Sequence, residues 1–247
     1  MSCDVRVHFL PILFEPSELR GGVAVMIDLL RASTTIVHAF SVGAIAIIPC
    51  ETIEEARAAA ANLSGQATVL GGERDGVRIE GFDLGNSPAE YTKESVSGKT
   101  VVFTTTNGTR ALARCREAER VLIGGFVNLA AMVGTLAESE LPVHFVCAGT
   151  NGRVTAEDIL FAGALASELQ PDSIDDQTRI AIDYYNSNKN SLHQAVANSL
   201  GGRNVIQAGY GDDIDRVLIR SQFDIVPEYS PGTNRIEPIH VGTKTNA

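Results

Sequence analysis

Short apolar runs rich in β-branched residues recur along the first 150 residues, and most hand over to a helical pattern. That alternation constrains the fold more than any other feature. "VAVMIDLL" (23–30) leads into "ASTTIVHAFSVG", a helix that Gly43 stops. "AIAIIP" (44–49) leads into "ETIEEARAAAANLSG", where Thr52 and Glu55 form a capping box and Gly65 ends the helix. "ATVLGG", "KTVVFTT", "RVLIGG" and "PVHFVCAG" read as further strands. The pattern predicts an α/β fold, a three-layer sandwich whose largely parallel sheet is covered by helices on both faces. After residue 170 strands are scarce. "SIDDQTRIAIDYYNSN", "NSLHQAVANSLGG" and "GDDIDRVLIRSQF" read as a helical C-terminal third, with "FDIVPEY" as a last strand. Residues 1–232 are expected to form one domain, or two lobes around a cleft, and residues 233–247 a loose polar tail.

Charge and cysteine usage narrow the function classes. Thirty acidic against twenty basic residues give a net charge of −10, which repels a nucleic-acid backbone. Aromatic residues are few and not interleaved with basic ones, so no base-stacking platform is expected. No apolar run reaches the ~20 residues of a membrane span. "MSCDVRVHFLPILFEP" carries charge early and a proline inside its apolar part, so it does not read as a signal peptide. Cys3, Cys50, Cys115 and Cys147 show neither CxxC nor disulfide-framework spacing. A soluble, reduced, cytoplasmic protein is the expectation. An anion would have to be held locally, against the overall field, which turns attention to arginines beside turns.

One tripeptide occurs at two such places. Thr106-Asn107-Gly108 follows an apolar run with Arg110 just beyond, and Thr150-Asn151-Gly152 follows another with Arg153 immediately after. In an open parallel sheet, ligands sit beyond the carboxyl ends of the strands. Three such ends carry suitable groups: Asp28 with Arg31, Ser33, Thr34 and Thr35; Thr104 to Gly108, including Thr105; and Gly149 to Arg153, with Thr155 as N-cap and Asp158 three residues on. Exposed N–H groups at a helix start, glycine and a guanidinium suit phosphate or carboxylate. The repeat therefore reads as a pair of anion cradles, although Asn-Gly is also simply a good turn dipeptide. Thr233-Asn234-Arg235 follows no strand and is assigned no function.

The stretch "GGERDGVRIEGFDLGNSPAEY" (71–91) is long for a plain connection. Ser87 as N-cap, Pro88 at the first position and Glu90 closing the box mark an ordered loop, which offers Glu73, Arg74, Asp83 and Asn86 to a site. Asp28, Glu157 and Glu73 are candidate ligands for Mg²⁺, which takes one or two carboxylates together with substrate oxygens and water. Glu157 and Asp158 also fit simple helix-dipole compensation, and Arg31 a structural partnership with Asp28. Cys147 to Arg153 has the C-x5-R spacing of cysteine-dependent phosphatases, against a Cys147 that sits within an apolar run. The five histidines show no metal-ligand spacing, and His144 reads as a core or edge residue.

The blocks "DLLRASTTIVHAF", "GERDGVRIEGFDLGNSPAEY", "TTTNGTRAL" and "CAGTNGRVTAEDILFAGAL", in this order over residues 28 to 165, resemble the 2-phosphosulfolactate phosphatase family. "GYGDDIDRVLIRSQFDIVPEY" is similar to its C-terminal signature. The resemblance implies a Mg²⁺-dependent hydrolase of phosphate esters of 2-hydroxy carboxylic acids. The named substrate is (2R)-phospho-3-sulfolactate, cleaved to sulfolactate and phosphate, a step toward coenzyme M in methanogens. Such a molecule carries three anionic groups on three carbons. Arg31, Arg74, Arg110 and Arg153, helix starts and one cation are the groups available to meet it. Asp28, Arg31 and Arg153 are the catalytic candidates. The nucleophile is open between cation-activated water and Asp28; the absence of D-x-D around Asp28 favours water. Outside enzymes, the alternative is an anion-binding protein that performs no chemistry. Also open is whether the 71–91 loop closes its own site or that of a second copy in a homo-oligomer.

Overall fold

Alternate residues of strand β2 (Val23–Ile27) enter two different cores. Val23, Val25 and Ile27 pack in one apolar cluster, Ala24 and Met26 in another. A period-2 strand that is apolar on both faces needs cover on both, and fully burying each aliphatic side chain contributes roughly 1.5–3 kcal/mol. The computed structural model, which describes residues 4–63 and 65–240, supplies that cover with helices on either side of the sheet. The predicted α/β sandwich is the observed fold.

Before β2 runs β1 (Asp4–His8). After it come α1 (Ala32–Ser41), β3 (Ala46–Pro49), α2 (Ile53–Asn62), β4 (Thr68–Arg74), β5 (Val77–Arg78), α3 (Lys93–Val96), β6 (Thr100–Thr104) and α4 (Gly108–Arg114). The chain continues through β7 (Arg120–Ile123), α5 (Leu129–Ala137), β8 (Val143–Cys147), α6 (Ala156–Leu169), β9 (Ser173–Ile174) and α7 (Asp176–Asn188). It closes with α8 (Leu192–Asn198), α9 (Leu200–Gln207), α10 (Asp213–Val217), β10 (Ile225–Ser230) and β11 (Arg235–His240). The Thr52–Glu55 capping box forms as expected, and Gly43 follows the end of α1 with φ +99°.

Among the described residues, eleven strands lie in the order β5-β4-β6-β3-β11-β10-β7-β2-β8-β1-β9. β4, β6 and β3 are mutually parallel, as are β7, β2, β8, β1 and β9. The antiparallel hairpin β10–β11 joins the two groups: β10 pairs with β7 and β11 with β3. This corrects the expected loose tail. Residues 235–240 form an internal strand, with Ile236 fully buried and facing Ile47. The hairpin turn is fixed at Asn234, whose Oδ1 accepts from the Tyr229 hydroxyl and whose Nδ2 donates to the Pro49 carbonyl. Residues 241–247, and Cys3, lie outside the described residues. The C-terminal third is helical apart from the short β9 and this hairpin.

Candidate active site

Asp28 leaves the carboxyl end of β2 and is held by the turn that starts α1. Its N–H donates to Ser33 Oγ (2.8 Å), and its Oδ1 accepts from the Ala32 N–H at 3.3 Å. The neighbouring hydroxyls serve the backbone: Thr34 Oγ1 donates to the Leu29 carbonyl and Thr35 Oγ1 to that of Asn86, which pins the long loop to α1. Asp28 Oδ2 lies against Gly108, where a Cβ would come within 2.8 Å of it. Burial, then the nearby Glu73 carboxylate, push the Asp28 carboxyl up to about 7.

Around Asp28 opens a cleft of about 430 Å³. Strand ends from both parallel groups meet there. Asp28 follows β2, Thr150 and Asn151 follow β8, Glu73 is the last but one residue of β4, and Thr106 and Asn107 follow β6. The two Thr-Asn-Gly turns touch each other: the Asn151 N–H donates to Asn107 Oδ1 at 2.9 Å. Glu73 fastens the first of them, its Oε1 accepting from the Thr106 N–H (2.7 Å) and its Oε2 from the Gly76 N–H (2.6 Å) and the Thr106 hydroxyl (3.2 Å). The second is a tight turn. Thr150 and Arg153 exchange N–H···O bonds of 2.9 and 3.0 Å, and Asn151 (φ +51°) and Gly152 (φ +72°) are both left-handed, a conformation asparagine and glycine tolerate best.

Several expected site residues lie elsewhere. Arg110 and Arg153 are exposed and, with the exposed Gly152, do not line the cleft. Arg74 braces the loop, donating to the carbonyls of Glu73 and Glu51 and to Thr104 Oγ1. Thr105 is buried behind the first turn, where its Oγ1 and carbonyl bond Thr109. Asp83 Oδ2 accepts from the Leu70 N–H. Ser87 does not cap its helical turn; its hydroxyl donates to Asp213 Oδ1, and Glu90 accepts instead from the Gly85 N–H. Arg31 does line the cleft, but its ion partner is Asp213, at 3.1 Å, rather than Asp28.

The three carboxylates expected to share a metal are not assembled as one set; among the described residues no group of three His, Cys, Asp or Glu side chains could hold an ion. Both oxygens of Glu73 are committed to Thr106 and Gly76. Glu157 is buried under α9, where any side chain at Gly201 would strike its Oε1. Its Oε2 has no hydrogen-bond partner, and burial raises its pKa. Asp158 is a strand tie, accepting from the N–H groups of Leu29 (2.8 Å) and Gly149 (2.9 Å) and thereby joining the ends of β2 and β8. Of the three expected ligands, Asp28 is the one that lines the cleft without both carboxylate oxygens being committed to the backbone or buried away. One carboxylate fits a Mg²⁺ that takes its other oxygens from substrate and water.

The family model for 2-phosphosulpholactate phosphatase matches residues 9–232. The chain belongs to that family. It is 42% identical over 212 residues to a probable 2-phosphosulfolactate phosphatase of Thermotoga petrophila, covering 86% of this chain and 90% of the relative. To the proteins of that name from Caldanaerobacter subterraneus and Clostridium beijerinckii it is 38% and 40% identical over 221 and 227 residues. Those matches cover 88% and 87% of this chain, and 92% of each relative. Family membership makes the chain a phosphoric monoester hydrolase.

Cys147 does not line the cleft. It is the fully buried last residue of β8, and burial, then Asp158 and Glu157, hold its thiol well above the usual range. His144 is a core residue, its Nδ1 3.0 Å from Nε2 of His8. The 71–91 loop closes over the cleft of its own chain, supplying Glu73, Asp75, Gly76 and Asn86. Of the expected residues, the phosphatase cleft gathers Asp28, Arg31, Glu73, Asn86, Thr106, Asn107, Thr150 and Asn151. The sequence reading missed Asp75, Gly76 and Val77, whose Asp-Gly dipeptide is a hairpin signal. It also missed the wall made by α9, with Gly201, Asn204, Val205 and Gln207. Nothing in the amphipathic pattern of that helix marks it as a site element.

Proposed function

We propose that this chain hydrolyses 2-phosphosulfolactate to sulfolactate and phosphate, with Mg²⁺ held at Asp28. The observation that carries the metal is charge balance: Asp28, Glu73 and Asp75 line the cleft against a single guanidinium, that of Arg31. A phosphate dianion entering such a cleft meets net repulsion unless a cation neutralises it. The names of the relatives support the substrate, and the amide side chains of Asn86, Asn107, Asn151 and Asn204 offer neutral donors for its remaining anionic groups. Mg²⁺ would supply charge neutralisation and alignment of the phosphate oxygens. Asp28 would orient the cation, Arg31 would grip the phosphoryl oxygens, and Glu73 holds the first Thr-Asn-Gly turn in place. Positioning and electrostatics dominate phosphoryl transfer, which suits a cleft without an activated protein nucleophile.

A substrate panel tests this reading. Phosphate release from 2-phosphosulfolactate should exceed that from phospholactate, and both should far exceed release from a simple alkyl phosphate. Equal rates on all three esters would remove the 2-hydroxy acid assignment, and release from none would leave an anion-binding protein.

A further inference from the structure

The Arg31 guanidinium is fixed from three directions by segments distant in sequence. Its NH1 donates to Asp213 Oδ2 (3.1 Å), its NH2 donates to the Gly76 carbonyl (3.0 Å), and its Cζ lies 4.3 Å from the centre of the Tyr210 ring. Both side chains of the Arg31–Asp213 pair are 2% exposed. Asp213 is held in turn by Ser87 Oγ, which donates to its Oδ1 at 2.8 Å, and by Arg216 at 3.3 Å. A buried ion pair is a poor source of stability, because desolvation offsets most of the attraction. What it does supply is orientation. Guanidinium has five N–H donors in a rigid plane, and two of them are used here. Stacking on Tyr210 restrains that plane, and Arg31 is one of the residues that line the cleft.

We propose that Asp213, assisted by Tyr210, is a positioning residue for phosphoryl transfer: it aims Arg31 at the substrate's phosphate and makes the C-terminal "GYGDD" segment part of the machinery. This deepens the phosphatase reading and rests on Arg31 gripping phosphate. The test is a double-mutant cycle of Asp213→Asn and Arg31→Met, with kcat/KM on 2-phosphosulfolactate and inhibition by inorganic phosphate measured in each protein. Asp213→Asn should lower kcat/KM roughly 10–100-fold and weaken phosphate inhibition alongside. In the Arg31→Met background the same change should cost less than about threefold, because its effect is transmitted through the guanidinium.

An equal loss in both backgrounds would show a merely structural role and overturn the proposal, as would wild-type kinetics in Asp213→Asn. Should Asp213→Asn not fold, Tyr210→Leu replaces it in the cycle with the same expectations. If the wild type releases no phosphate, the phosphatase reading fails on its own. Calorimetric titration with inorganic phosphate then decides the positioning role: weakened binding in both single variants supports it, and unchanged binding in Asp213→Asn overturns it.

Discussion

Asp28 illustrates how a site residue stores destabilisation. It is 7% exposed, and its carboxyl is pushed up to about 7, by burial first and Glu73 second. A folded-state pKa above the unfolded value means that the native state keeps its proton longer, so this group's contribution to stability falls as pH rises from about 4 to 7. Asp28→Asn should therefore abolish turnover and yet raise Tm at pH 8, by about 2–4 °C for each kcal/mol recovered, with a smaller rise at pH 5. Thermal melts at the two pH values check it. Arg110 and Arg153 make the opposite point. Their spacing after a Thr-Asn-Gly turn suggested phosphate grips, but position along the chain did not reveal which face the side chains take. Both are exposed and do not line the cleft, so Arg110→Ala and Arg153→Ala should each leave kcat/KM within about twofold, as surface changes do. Asp28, Thr106 and Asn107 were legible because a strand end is a local property. Asp213 was not assigned a role, since its partnership with Arg31 spans 182 residues.

Among the elements, β11 departs most from expectation. "RIEPIH" is short, half polar and contains Pro238, features that argue against an internal strand. It is accommodated because Pro238 is paired with Pro227 of β10, and because Ile236 fills the core opposite Ile47. Truncation after residue 232 should remove the link between the two parallel groups and abolish cooperative unfolding, read by urea melts followed by circular dichroism. Retention of a wild-type transition would mean that the strand is dispensable. The parallel strands β2, β3, β4, β6, β7 and β8 were legible from β-branched runs, whereas β1, β5 and β9 gain their pairing from tertiary contacts that local sequence does not encode. β1 is also tied to β8 by the His8–His144 contact. Burial first, then His144, lower the His8 pKa to about 4. The unfolded chain takes up that proton near 6.5, so this stability is full above pH 6.5 and is lost as pH falls toward about 4. His8→Gln should flatten the fall of Tm across that window.

At the scale of the molecule, two parallel groups bring their carboxyl ends to one cleft, and the C-terminal helices close its far wall. The fold class was readable from alternation alone. The cleft's full lining was not, because α9 and the Asp75–Gly76 hairpin enter it only through the path of the whole chain. The assembled cleft carries more carboxylate than guanidinium, so a cation is expected to bind it and to stabilise the fold by mass action, about 2.7 kcal/mol at a hundredfold excess over Kd. Its ligand must be ionised. Mg²⁺ should therefore raise Tm more at pH 8 than at pH 6 in the wild type, and at neither pH in Asp28→Asn.

The most direct measurement is phosphate release from 2-phosphosulfolactate by wild type, Asp28→Asn and Cys147→Ser, each assayed in EDTA and again after Mg²⁺ is restored. Turnover that disappears in EDTA, returns with Mg²⁺, survives the cysteine change and is lost in Asp28→Asn is the predicted result. Turnover indifferent to EDTA, or retained in Asp28→Asn, would contradict a cation held at Asp28.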